Sequence, residues 1–175
     1  MTSLLSNIAT RSPERIARVS SHAIDGALSA PGELRLSLVE GEAIALGAFQ
    51  RVKEIDANGA LVVRRVSGGP PVALRSGTIH VALALAQPSA LVSCDPPRLV
   101  NRYVRPLLRA LSSFGPKAAY FGRDWVSVAH RPAAWIGFAH DASTGRAAIE
   151  AIVGVNDTFT VHDANYASFL DKTAI

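Results

Sequence analysis

Residues 78–86, Thr-Ile-His-Val-Ala-Leu-Ala-Leu-Ala, are almost continuously apolar. The run is far below the roughly 20 residues that a membrane span needs and suits one strand of a sheet. Without polar alternation it reads as a central strand buried on both faces. The remaining pattern is organised around it. Ser12-Pro13 opens a helix, with Ser12 as its cap and Pro13 at its first position. Ile16, Val19, Ala23, Ile24, Ala27 and Leu28 then recur at helical spacing until Pro31-Gly32. Leu34, Leu36 and Leu38 alternate as in a half-buried strand, Glu40-Gly41 makes a turn, and residues 43–46 read as the antiparallel return. A further strand is expected at 60–65.

Asp95 is placed to cap a long helix that Pro96-Pro97 opens and Gly115-Pro116 ends. Leu99, Val100, Tyr103, Val104, Leu107, Leu108 and Leu111 form its apolar stripe, with a kink expected at Pro106. Short strands follow at 118–121, 125–128, 133–139 and 147–153, and Asp163 caps a last helix carrying Tyr166, Phe169 and Leu170. This order predicts an α+β fold, a mixed and largely antiparallel sheet flanked by helices, in one domain over residues 1–175.

Composition excludes several functions. Cys94 is the single cysteine, so neither an intrachain disulfide nor a multi-cysteine metal site can form, and the thiol has no evident partner base. His80, His130, His140 and His162 lack metal-ligand spacing. No Gly-x-Ser-x-Gly nucleophile elbow occurs. The net charge of +4 is spread along the chain, without zinc-finger spacing or a basic run interleaved with aromatics, so nucleic acid is not expected as a partner. The absence of a signal pattern or long apolar run points to a cytoplasmic protein that does not engage a membrane.

The chemistry-bearing segment is Arg64-Arg65-Val66-Ser67-Gly68-Gly69, followed by Gly77-Thr78-Ile79-His80. Glycine lets main-chain N–H groups approach a ligand that a Cβ would block, and arginine supplies fixed positive charge beside them. Together with Leu46-Gly47-Ala48-Phe49-Gln50, the helix from Asn101 to Gly115 and Gly122-Arg123-Asp124-Trp125, these segments form an ordered set over residues 15–160. That set resembles the catalytic domain of the lipoate-protein ligase and biotin-ligase family. In that family an acyl acid is activated as its AMP ester and transferred to a lysine of a carrier domain.

The resemblance implies that Arg64, Ser67, Gly68 and Gly69 wall a lipoyl-adenylate tunnel and present backbone donors to the phosphate. It implies that Gly77, Thr78 and Ile79 line the nucleotide side, and that Asp124 sits at the adenylate end. Lipoate, an acyl-adenylate, or ATP with magnesium would be the ligands, and a lipoyl carrier domain or a partner subunit the protein partner. Several positions depart from the family pattern. Leu74 replaces a histidine, Arg123-Asp124 replaces Asn-Asp, and Pro70-Pro71 remove two N–H donors. The family's Lys-x-x-Gly lysine falls on Ala134, and the nearest cation is Arg131, which is not an equivalent group. The resemblance falls on the catalytic domain, and a single such domain without the family's small C-terminal accessory domain is expected over residues 1–175.

Three readings are compatible with these residues. One is a pseudoenzyme or partial subunit that binds an acyl or lipoyl group or a carrier protein. The second is an active lipoyl or octanoyl transferase or ligase that uses Arg131. The third is a structural interaction module whose cleft is closed by Trp135, Pro70 and Pro71.

Overall fold

The computed structural model describes residues 8–55, 57–88, 96–120, 122 and 124–155. In chain order these form β1 (Ile8–Arg11), α1 (Pro13–Asp25), β2 (Gly32–Val39), β3 (Ala43–Leu46), β4 (Val62–Arg64), β5 (Val72–Leu74) and β6 (Ile79–Leu85). They continue with α2 (Pro96–Ser112), β7 (Ala118–Tyr120), β8 (Trp125–Val128), β9 (Arg131–Asp141) and β10 (Arg146–Val153). Seven strands form the main sheet in the order β1-β2-β6-β10-β9-β8-β7, and β4-β3-β5 form a small second sheet. Pairing in the main sheet is antiparallel except between β1 and β2, so the α+β class with a mixed sheet holds.

β6 lies inside this sheet, between β2 and β10. Both of its faces are used. His80, Ala82 and Ala84 point toward α1, while Ile79, Val81 and Leu83 join the cluster beneath α2. α1 and the small sheet close the first face around Ile16, Val39, Ala45, Val72, Trp135 and Ile152. α2 lies over β7 and β8 on the second, where Val104, Val126, Ala134, Ile136 and Ile149 pack.

Several elements differ from the sequence reading. β3 does not return along β2; it pairs parallel with β4 and antiparallel with β5. The turn at Gly41 (φ +106) carries the chain into the second sheet, and all four β3 residues are buried there. Leu34 and Leu38 are 57% and 37% exposed, whereas Ser37 and Val39 on the opposite face are buried. The leucines therefore face the α2 side, at the part of the sheet that α2 does not reach, since Leu34, Leu36 and Leu38 stand opposite Leu83, Val81 and Ile79.

α1 stops at Asp25 rather than running to Pro31. Arg146 ends it, donating through Nη1 to the carbonyls of Ile24 (3.0 Å) and Gly26 (2.6 Å). Ser12 takes the N-cap position, but its side chain makes no capping bond. α2 continues through Pro106, which is exposed, so the i→i−4 bond that the ring removes lies at the solvent face. β1 was not anticipated; four residues with an alternating, partly exposed pattern give little periodic signal. The cap at Asp95, the thiol of Cys94, Arg123, His162 and the helix after Asp163 lie outside the described residues. Among the described residues, no helix is long and apolar enough to cross a membrane.

Candidate functional site

The glycine-rich segment leaves β4 and crosses between the turn after β3 and the edge of β9. β8 pairs with β9 only as far as Trp125 opposite Trp135, so the β9 edge beyond it is open. There the Gly68 N–H donates to the carbonyl of Phe138 (3.0 Å), and Ser67 accepts from Ala48 N–H (2.8 Å) on the other side. Two glycines make the passage possible. A Cβ on Gly137 would lie 2.2 Å from Ser67 Oγ, and one on Gly47 would lie 2.1 Å from the Gly69 carbonyl oxygen. Gly69 itself has φ +106, a conformation that favours glycine.

A polar cluster holds the loop from beneath. Glu150 of β10 is fully buried and accepts three hydrogen bonds. They come from Ser20 Oγ on α1 (2.9 Å), His80 Nε2 on β6 (2.9 Å) and the Ser67 N–H (3.3 Å). Because the carboxylate can only accept, Nε2 of His80 carries the proton. Ser20 Oγ in turn accepts from Val66 N–H (2.7 Å). Burial alone would raise the Glu150 pKa; the hydrogen bond and charge of His80, the bond from Ser67 and the charge of Arg65 outweigh it and hold the group at about 2.

Arg65 is 2% exposed and donates through Nη2 to the Pro70 carbonyl (2.7 Å), closing the loop across its base. Burial lowers its pKa, against the favourable charges of Glu150 and Asp124. Sequence reasoning missed Arg65, Glu150, His80 and Ser20 as a unit. The signal was available in the apolar stretches 79–85 and 147–153. Each carries a lone polar side chain, and such a group must find a partner when buried.

The engaged amides alter what the loop can offer. Arg65 N–H donates to the Leu46 carbonyl, and the N–H groups of Val66, Ser67 and Gly68 are bound as above. Pro70 and Pro71 have none. Among the described residues, Gly69 has the one N–H of the 65–69 run without a hydrogen bond. Arg64, expected to wall a tunnel, donates through Nη1 to the carbonyls of Gly47 (2.9 Å), Ala48 (3.1 Å) and Gln50 (2.7 Å). It thereby staples the turn that presents Phe49, 91% exposed, beside Gly68.

The other expected site residues are not all gathered there. Gly77 (φ +91) donates to the Val39 carbonyl, and Thr78, largely buried, receives a bond from Arg75 N–H at its hydroxyl and accepts from Val39 N–H at its carbonyl. These bonds tie the start of β6 to the end of β2. Ile79 lies three residues before Ala82, which stands in the row of Glu150 and Gly137, so the two groups are separated by roughly 10 Å of strand. Asp124 is half-buried before β8, and its carbonyl accepts from Ile136 N–H (2.7 Å).

Ala134 is fully buried among Val104, Val126 and Ile136 on the α2 face. Trp135 points to the opposite face, where its ring meets Trp125 edge-on at 5.6 Å. Neighbouring strand residues alternate between faces, so Trp135 packs the core and does not fill space next to Ala134. Arg131 is exposed. A register shift between Val126 and Ser127 sets it opposite Val128, whose side chain lies under α2, so Arg131 stands on the same face as Ala134.

No protein-family model matches the chain, and no curated protein matches it in sequence. Its structural neighbours are lipoate-protein ligases. A bi-partite lipoate protein ligase from Thermoplasma acidophilum superposes with TM-score 0.69 at 18% identity, over 96% of this chain and 70% of that one. Lipoate-protein ligase A bound with ATP gives 0.69 at 15% identity, over 97% of this chain and 82% of that one. A P. falciparum protein in complex with lipoate gives 0.59 at 14% identity, over 96% and 60%. The chain has the α+β fold of their catalytic domains.

Proposed function

We propose that this domain binds an acyl or lipoyl group, free or on a carrier protein, and does not adenylate it. The observation that carries this reading is the consumption of the loop's donors. Stabilising an adenylate needs N–H groups and a cation aimed at the phosphate and carbonyl oxygens. Here Arg64 holds a turn, the amides of 65–68 are bound inside the protein, two prolines follow, and an alanine in an apolar cluster stands where the resemblance puts the lysine. The apolar side chains of Ile79, Val81 and Leu83, half-buried on the sheet face that α2 leaves partly uncovered, suit an acyl chain. An anionic head group at the end of that face would meet Arg131.

Thermal melting tests this reading against lipoate, octanoate, lipoyl-AMP and ATP with magnesium. A fitting acyl acid at about a hundred times its Kd stabilises the fold by about 2.7 kcal/mol. The expected result is a shift with lipoate or octanoate, none with ATP, and no lipoate-dependent release of pyrophosphate. Robust pyrophosphate release sinks the non-adenylating reading. One observation favours the second reading, an active ligase or transferase: the register shift that puts Arg131 on the face of Ala134. Loss of pyrophosphate release in Arg131→Ala would establish it. If no acyl acid or adenylate shifts the melting point, the domain is an interaction module.

A further inference from the structure

The outer face of α2 carries Arg98, Arg102, Arg105 and Arg109, all exposed. Their spacing of four, three and four residues sets them in one straight row about 16 Å long. The helix contains no acidic residue, and none of the four makes a hydrogen bond or ion pair among the described residues. Four like charges in a row repel one another and destabilise an isolated helix. The fold does not need them, because α2 is held from its other side by Leu99, Val104 and their neighbours.

We propose that this row is a docking surface for an acidic α-helix of a partner protein, one that presents carboxylates at the same four-three-four spacing. Each guanidinium forks onto a carboxylate, and two helices of equal rise keep successive pairs in step. Composition favours a protein over other polyanions. The row is all arginine with no lysine, and Phe114, 90% exposed, follows its last turn. Arginine and aromatic side chains are the groups that protein interfaces concentrate, while lysine is depleted there. The exposed positions between the arginines are Asn101 and Pro106, so no aromatic side chain is interleaved with the row to stack on successive bases. Insertion into a lipid surface would need the apolar face of α2, which is already packed on the sheet.

The test is fluorescence anisotropy with a labelled synthetic helix that carries glutamates at four-three-four spacing, beside a scrambled peptide of the same composition. Saturable binding is expected for the patterned peptide and at least severalfold weaker binding for the scrambled one. The variant R102Q/R105Q/R109Q should bind about tenfold more weakly, the loss of roughly half a kcal/mol at each of three exposed pairs. The variant R15Q/R18Q/K53Q removes the same net charge from exposed positions elsewhere and should bind nearly as the unmodified chain does. Equal binding of the two peptides, equal losses in the two variants, or no saturable binding overturns the proposal. Tighter binding of duplex DNA at the same salt, lost in R102Q/R105Q/R109Q, would assign the row to nucleic acid instead. This readout is independent of acyl binding, so either reading can fail alone.

Discussion

Glu150 shows what one residue does when its surroundings are fully committed. Its folded pKa of about 2 lies below the ordinary 4.5, so the carboxylate contributes stability that is present above about pH 4.5 and is lost as pH falls toward 2. The shift corresponds to on the order of 3 kcal/mol. Acid unfolding followed by circular dichroism should therefore steepen below pH 4.5, and Glu150→Gln should flatten that segment. At neutral pH the same substitution leaves Arg65 buried with less compensation and is expected to cost about 3–5 kcal/mol. Arg64→Ala is a contrasting case. Its three carbonyl partners make it a staple of the 47–50 turn, so a modest loss of about 1 kcal/mol is expected, seen as a small fall in Tm.

Among the elements, periodic segments were legible and positional relations were not. The apolar stripe of α2 and the strand at 78–86 have periods that a sequence displays directly, and both appear where expected. The stripe is graded, however. Leu99 and Val104 are buried, whereas Leu107 is only partly so. Leu99→Ala should cost about 2–5 kcal/mol and Leu107→Ala clearly less, read as urea midpoints at unchanged m-value. The β3 pairing was not legible, because residues 43–46 are apolar throughout and would suit either sheet. The glycine loop was recognisable, but the fate of its amides was not. Their acceptors are Ser20, Leu46, Phe138 and Glu150, scattered along the chain. Gly47→Ala tests the loop's seating: the Gly69 carbonyl must move, so the loop should lose hydrogen-exchange protection at Gly68, as measured by NMR.

On the scale of the whole molecule, the strand order ties early and late sequence together. β6 pairs with β2 and with β10, which lies more than sixty residues further on, so the centre of the main sheet joins segments distant in sequence. The far-UV and near-UV signals should therefore melt in one coincident transition, as a single cooperative unit does. The Glu150 cluster sharpens this coupling, because its carboxylate has all its donors only when α1, the glycine loop and β6 have arrived. An incompletely assembled chain would hold a charge with nothing to neutralise it. Proteolysis makes the consequence measurable. A protease acting on bonds within the central strands finds no half-open intermediate to cut, so its rate should follow the population of the globally unfolded chain. A destabilising change at Glu150 would then shorten the lifetime of every part of the sheet alike.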